Sequence, residues 1–202
     1  MLDAPIKSRI DPVLLRMGQW LSDRGATPNG VTIAAFLVGM LAAVSIAFEQ
    51  FGLGLALLLL SRLGDGLDGW VARASGRQSD FGGFLDITLD FAFYGAIPLA
   101  FVLADPARNA EAGAFLLLTF YFNGASFLAF ALMAEKRGLD PNARGQKSLL
   151  YTTGLAEATE TIAVFVLMCL WPTGFPLIAW VFGAICLYTT FSRIVLARRA
   201  LV

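Results

Sequence analysis

Four aspartates, Asp65, Asp68, Asp86 and Asp90, fall within 26 residues of sequence, in the stretch DGLDGWVARASGRQSDFGGFLDITLD. On a helix, Asp65, Asp68, Gly69 and Ala72 stand at i, i+3, i+4 and i+7 and share one face. Gly82, Asp86 and Asp90 stand at i, i+4 and i+8 and share another. Two helices joined by a short loop, each turning a carboxylate pair toward the other, make a pocket of four oxygen donors. Hard divalent cations such as Mg²⁺, Mn²⁺ or Ca²⁺ take that donor set. The chain has no histidine, which excludes His-based catalysis and His–metal ligation and leaves carboxylates as the bases.

Small residues accompany the acids. Gly69, Ala72, Gly82 and Gly83 leave the acidic faces free of bulk, so a ligand or a second helix can approach closely. Arg73 sits just past the first acidic face and is suited to pair with a phosphate. Carboxylates for metal, glycines for access and an arginine for an anion point to a metal-bridged phosphate ester.

The pattern D-x2-D-G-x2-A-R-x8-G-x3-D-x3-D resembles the signature of the CDP-alcohol phosphotransferase (CDP-alcohol phosphatidyltransferase) family. Asp65, Asp68, Gly69, Ala72, Arg73, Gly82, Asp86 and Asp90 fill every fixed position of it. The hydropathy on either side also suits the family, which extends the resemblance to the whole chain. The resemblance implies transfer of a phosphatidyl (substituted phosphate) group from a CDP-alcohol, with CDP-diacylglycerol the expected donor, to a hydroxyl acceptor with release of CMP. It implies two divalent ions, Mg²⁺ or Mn²⁺, with Asp65, Asp68 and Asp86 as ligands. Asp90 is implied as the general base and is counted with the metal ligands too. Gly69, Ala72 and Arg73 are implied to hold the cytidine and phosphates, with Gly82 giving clearance. Family members often carry a Pro-Asn-x-x-Thr element near the nucleotide, which Pro28, Asn29 and Thr32 match; the alternative role for Asn29 and Thr32 is helix capping. The family commonly forms homodimers through membrane helices.

The elements that must position these residues are written in the hydropathy. The chain is 57% hydrophobic with mean hydropathy +0.70, and its 15% charged residues fall well below the usual ~25% of a soluble domain. This implies an all-α membrane protein in a single domain, residues 1–202. Residues 1–25 read as an amphipathic helix in the membrane interface: Asp11-Pro12 opens it, and Val13, Leu14, Met17, Trp20 and Leu21 recur at helical spacing. Residues 26–202 read as a six-helix bundle, with spans near 31–48, 51–74, 82–103, 113–134, 148–171 and 177–196. Loops are expected over 75–81, 104–112 and 135–147. The apolar part of the second span, Phe51 to Leu60, is too short to cross ~30 Å of hydrocarbon, so its helix must run on through the aspartates. Charges at membrane depth default to functional sites; the competing role is an Arg62–Asp65 or Arg62–Asp68 pair that locks helices. Tyr121, Asn123 and Ser126 are expected to make interhelical hydrogen bonds. Cys169 and Cys186 lie in apolar runs and are expected to be free, buried thiols. Met1 to Ser8 holds no apolar run, so no signal peptide is expected, and no internal repeat is visible.

Six spans place both termini on one side, and fourteen of the fifteen Lys and Arg fall on that side, leaving only Arg108 opposite. By the positive-inside rule both termini are cytoplasmic, and the aspartates lie near the cytoplasmic face of the cell membrane. Zero net charge gives no reason to expect nucleic acid as a partner. For the acceptor, Arg144 and Lys147 precede the fifth span on the aspartates' side and suit a phosphorylated alcohol such as glycerol 3-phosphate. Glu157 and Glu160, with Thr161 on one face of that span, suit a polyol or amino-alcohol instead. A cation- or proton-coupled transporter is the competing class; the clustering of acids at one side and the absence of an inverted repeat speak against it. A non-catalytic scaffold would be favoured by a missing signature aspartate, and none is missing.

Overall fold

The structure, a computed structural model, describes residues 14–138, 156 and 158–201. Every described element is helical. Residues 14–23 form α1. There follow α2 (Pro28–Ala47), α3 (Phe51–Ser75), α4 (Asp80–Ala104), α5 (Pro106–Lys136), α6 (Ala158–Leu170), a 3₁₀ turn at Pro172–Gly174, and α7 (Phe175–Leu201). Among the described residues, four helices are long and apolar enough to cross a membrane: α2, α4, α5, and α7 taken with the turn before it. The described residues are thus all-helical, with several helices of membrane-spanning length and composition. α3 matches α4 in length, 25 residues each, but its second half carries Arg62, Asp65, Asp68 and Arg73.

The chain divides into two compact units, one ending at Ala96 and one beginning at Ile97. In the first, α2 and α3 pack through small residues, as membrane helices do when lipid offers large side chains no reason to turn inward. Ala35, Gly39, Ala42 and Ala43 are buried on α2, and Gly54 and Ser61 on α3, while Leu37, Leu41 and Val44 are exposed. A Cβ on Gly64 would come within 3.1 Å of the Ala35 Cβ, so the two helices approach almost backbone to backbone there. The second unit is held by rings: Phe115 stacks on Trp180 at 4.4 Å, Phe101 on Phe175 at 5.0 Å, and Phe120 meets Phe182 edge-on at 5.9 Å.

Two expected boundaries shift. The loop expected over 104–112 is a single residue, Asp105, whose carboxylate accepts from the Arg108 backbone N–H at 3.2 Å while Pro106 opens α5. An Asp-Pro pair is an N-cap followed by a proline at the first helical position, so α5 starts a full two turns early. The polar groups of 106–112 are accommodated: Asn109 is buried and donates to the Phe101 carbonyl at 2.7 Å, and Arg108 donates to the Thr173 carbonyl at 2.6 Å. Similarly, Thr27 caps α2 by accepting from Gly30 N–H at 3.2 Å, so the first apolar helix begins at Pro28.

Within the second unit Asn123 and Ser126 of α5 do bond another helix: both accept from Arg193 Nη1 of α7, at 2.9 and 2.7 Å. Tyr121 does not match that expectation, being 76% exposed, because its position on α5 faces outward. Cys169 and Cys186 are free and buried. Of the expected fifth span, α6 is the described part; Glu160 lies exposed in its first turn, where a helix N-terminus favours a carboxylate. Arg144, Lys147 and Glu157 lie outside the described residues.

Candidate active site

The first unit assembles the site from α2, α3 and α4. α3 ends at Gly76, whose φ of 64° is the left-handed conformation that glycine adopts without strain, and Arg77 N–H closes the turn on the Ala72 carbonyl at 3.1 Å. Ser79 then starts α4, its hydroxyl accepting from Gly82 N–H at 3.1 Å. This four-residue link turns the chain back on itself and sets the register between the two acidic faces.

With that register, carboxylate oxygens of Asp65, Asp68 and Asp86 all lie within 4.8 Å of one another. Each carboxylate is half-buried. Three oxygen donors at that spacing suit a hard divalent ion: ligands opposite one another across Mg²⁺ stand about 4.2 Å apart and across Ca²⁺ about 5 Å, from their usual bond lengths. Three like charges so close repel unless a cation is present, so the donor set fits the metal its chemistry implies.

Asp68 is oriented from α2. Thr32, itself buried, donates its hydroxyl to Asp68 Oδ2 at 2.6 Å, with the Pro28 carbonyl farther off at 3.1 Å. Capping at this end is done by Thr27, so Thr32 is left to hold the carboxylate and Asn29 to face Gly82: a Cβ there would lie 3.1 Å from Asn29 Oδ1. One cleft is lined by Asn29, Thr32, Asp68, Gly69, Ala72, Gly82 and Asp86. The polar and small residues expected beside the nucleotide therefore share a wall with two of the three clustered acids.

Thr32→Val keeps the shape and removes this donor. A hydrogen bond to a charged group contributes about 1.5–3 kcal/mol. With the site partly open, the lower end applies, and the Mn²⁺ concentration giving half-maximal activity should rise about tenfold. Titrating activity against Mn²⁺ measures this; an unchanged midpoint would remove Thr32 from the account.

Arg73 does not line the cleft. Its guanidinium lies 4.3 Å from the Trp70 ring, and a Cβ on Gly69 would meet its Nη1 at 3.5 Å, so it folds back along α3. Asp90 is not one of the three clustered acids. Its Oδ1 accepts from Arg62 Nη1 at 2.7 Å, and the same nitrogen lies 3.4 Å from Asp65. Two basic residues at the site went unassigned from sequence. Arg77 lines the cleft, and only its place in the short link between the acidic faces could have pointed to it. Arg62 was read only as a partner for Asp65 or Asp68, since its bond to Asp90, 28 positions away, depends on the register of α3 against α4.

Several helices of membrane-spanning length and three clustered carboxylates beside a glycine-lined cleft make a donor set that a hard divalent ion fits. The model of the CDP-alcohol phosphatidyltransferase family matches residues 26–192, and this chain belongs to that family. It is 47% identical over 194 residues, 96% of this chain and 94% of the other, to the inner membrane protein YnjF of Escherichia coli (strain K12). It is 40% identical over 85 residues, 42% of this chain and 45% of the other, to an archaetidylinositol phosphate synthase of Pyrococcus horikoshii. Its fold is similar to that of the Mycobacterium tuberculosis phosphatidylinositol phosphate synthase crystallised with CDP-DAG bound. That match has a TM-score of 0.69 at 20% identity and covers 92% of this chain and 94% of that one. A structure of the same mycobacterial enzyme with manganese and citrate gives 0.68 at 20% identity, over 91% and 88%. The chain is a transferase of phospholipid synthesis.

Proposed function

We propose that this protein transfers the phosphatidyl group of CDP-diacylglycerol to a phosphorylated alcohol, releasing CMP, at a carboxylate centre for two divalent ions near the cytoplasmic face of the membrane. The observation that carries the reading is the convergence of Asp65, Asp68 and Asp86 within 4.8 Å beside the glycine-lined cleft. Asp65, Asp68 and Asp86 would hold the divalent ions, which when bound would neutralise the diphosphate for in-line displacement. Asn29, Gly69, Ala72 and Gly82 hold the nucleotide, and Arg77, which lines the cleft, supplies positive charge to its phosphates; Arg73 reaches them only on leaving the Trp70 ring. Asp90 takes the acceptor's hydroxyl proton. The acceptor oxygen then bonds to the lipid-side phosphorus as the bond from that phosphorus to the bridging oxygen breaks, and CMP leaves with the electron pair. The proton passes from Asp90 to water.

We place the whole chain in one membrane domain of six spans with cytoplasmic termini. α1 supports an interfacial position for the N-terminal segment: Met17 and Trp20 are exposed, and Arg24 lies 3.6 Å over the Trp20 ring, a pairing suited to a headgroup layer. The phosphorylated acceptor is supported by the names of relatives, synthases of archaetidylinositol phosphate and phosphatidylinositol phosphate, and by the basic residues Arg144 and Lys147. Purified protein given labelled CDP-diacylglycerol and a panel of alcohols tests the acceptor. A phosphorylated alcohol is expected to give the new lipid, and Arg144→Ala with Lys147→Ala to raise its KM about tenfold or more while sparing that of the donor. Lipid formed only from unphosphorylated polyols or amino-alcohols, with Glu157→Gln impairing that use, would replace this acceptor with the other class.

A further inference from the structure

The signature leaves positions 70 and 71 open, and this chain fills them with Trp70 and Val71. Val71 is fully buried, while Trp70 is half-buried and stands three residues before Arg73 on α3. Side chains three apart on a helix are neighbours. The Arg73 guanidinium accordingly lies 4.3 Å from the centre of the Trp70 ring. Its Nη1 and Nη2 stand 3.5 and 3.7 Å from where a Cβ on Gly69 would be, so the cation rests by the indole and against the bare backbone of a cleft residue. Among the described residues no carboxylate pairs with Arg73. An arginine that is always charged is thus held beside the cleft by a ring alone.

The indole is itself held by α1. A Cβ on Gly18 would come within 2.7 Å of Trp70 Cβ and 3.0 Å of the Trp70 carbonyl carbon, so α1 crosses α3 almost backbone to backbone at this residue. Gly18 is buried in that crossing. The root of the ring is therefore fixed by a second helix, and its neighbour three residues on is Arg73.

We propose that Trp70 is a positioning residue that parks Arg73 beside the cleft while no donor is bound, and that the donor's diphosphate draws the guanidinium off the ring. This role rests on the functional reading above. A ring attracts a guanidinium weakly at a partly exposed site, whereas a phosphate pairs with it by charge and by two parallel N–H donors. The exchange runs toward the phosphate when the donor arrives and back to the ring when the nucleotide leaves. The cleft stays clear of the guanidinium until there is a phosphate to hold.

Binding of CDP-diacylglycerol to the detergent-purified full chain in Mg²⁺, without acceptor, tests this. Ring and phosphate compete for one cation, so Trp70→Leu, which keeps a Cβ against Gly18, should bind the donor about two- to fivefold more tightly. Arg73→Gln should bind it about tenfold or more weakly, and in that background Trp70→Leu should change nothing further. A tryptophan that serves only packing would act equally with and without Arg73. Indole emission reads the same exchange without relying on Trp70→Leu to fold: saturating donor should shift the emission of the unaltered chain, and Trp70→Phe and Arg73→Gln should each lose that shift. Donor binding by Trp70→Leu that is unchanged or weaker, or a change that persists without Arg73, would overturn the role. So would an emission that the donor leaves unmoved. Folded, unaltered protein that binds no CDP-diacylglycerol would instead show that the functional reading itself had failed.

Discussion

Replacing Asp86 by Asn should cut turnover by at least about a thousandfold, well beyond the 10- to 100-fold that follows loss of a group merely supporting a metal ligand. Asn keeps the size of the side chain and one oxygen but removes the charge, and its amide hydrogens point at the other acids or at the cation. Asp86 is the sole member of the clustered three that α4 contributes, so its loss removes that helix's carboxylate from the cluster. Asp65→Asn should behave alike, with a further consequence: Arg62 loses its second carboxylate at 3.4 Å. Initial rates of CMP release measure both effects. The control is Asp80→Asn, in the first turn of α4 and outside the cluster, which should stay within about twofold of the unaltered rate because exposed charges contribute little. Near-normal rates for Asp86→Asn would remove the cluster from the chemistry.

Chelation should have an effect as large, and a reversible one. Activity should vanish in EDTA and return on adding Mg²⁺ or Mn²⁺, because hard oxygen donors hold such ions and an arginine at the cleft wall cannot replace two divalent charges on a diphosphate. Stability should move with it. Carboxylates clustered within 4.8 Å repel one another without metal, and Mn²⁺ at a hundred times its Kd should stabilise the fold by about 2.7 kcal/mol through binding to the native state alone. Activity and thermal unfolding midpoint followed together across a Mn²⁺ titration should rise over the same concentrations. Full activity after thorough chelation would contradict the account.

Much of the site was legible because its logic is local. Asp65 and Asp68 at i and i+3, and Gly82 and Asp86 at i and i+4, place their side chains on helix faces that any α-helix dictates. The need for α3 to continue past Leu60 followed from length alone, and the helix does run to Ser75. What was not legible depends on how one helix meets another. The bond from Arg62 to Asp90 requires the register that the Gly76 turn and the Ser79 cap together set. Arg73 stacks on Trp70 three residues earlier, a local pairing that competes with its expected reach to phosphate. The start of α5 was missed for another reason: Asp105-Pro106 was there to be read as a cap, but the polar residues after it looked like a loop until Asn109 found the Phe101 carbonyl.

The most direct measurement is CMP release from CDP-diacylglycerol by the purified, metal-loaded protein, compared with Asp86→Asn prepared identically. The account predicts CMP and a new phospholipid in equal amounts from the unaltered chain, dependent on both divalent metal and an alcohol acceptor, and neither product from the variant. Folded protein that yields no CMP with any acceptor in Mg²⁺ or Mn²⁺, or CMP formed equally fast by Asp86→Asn, would contradict it.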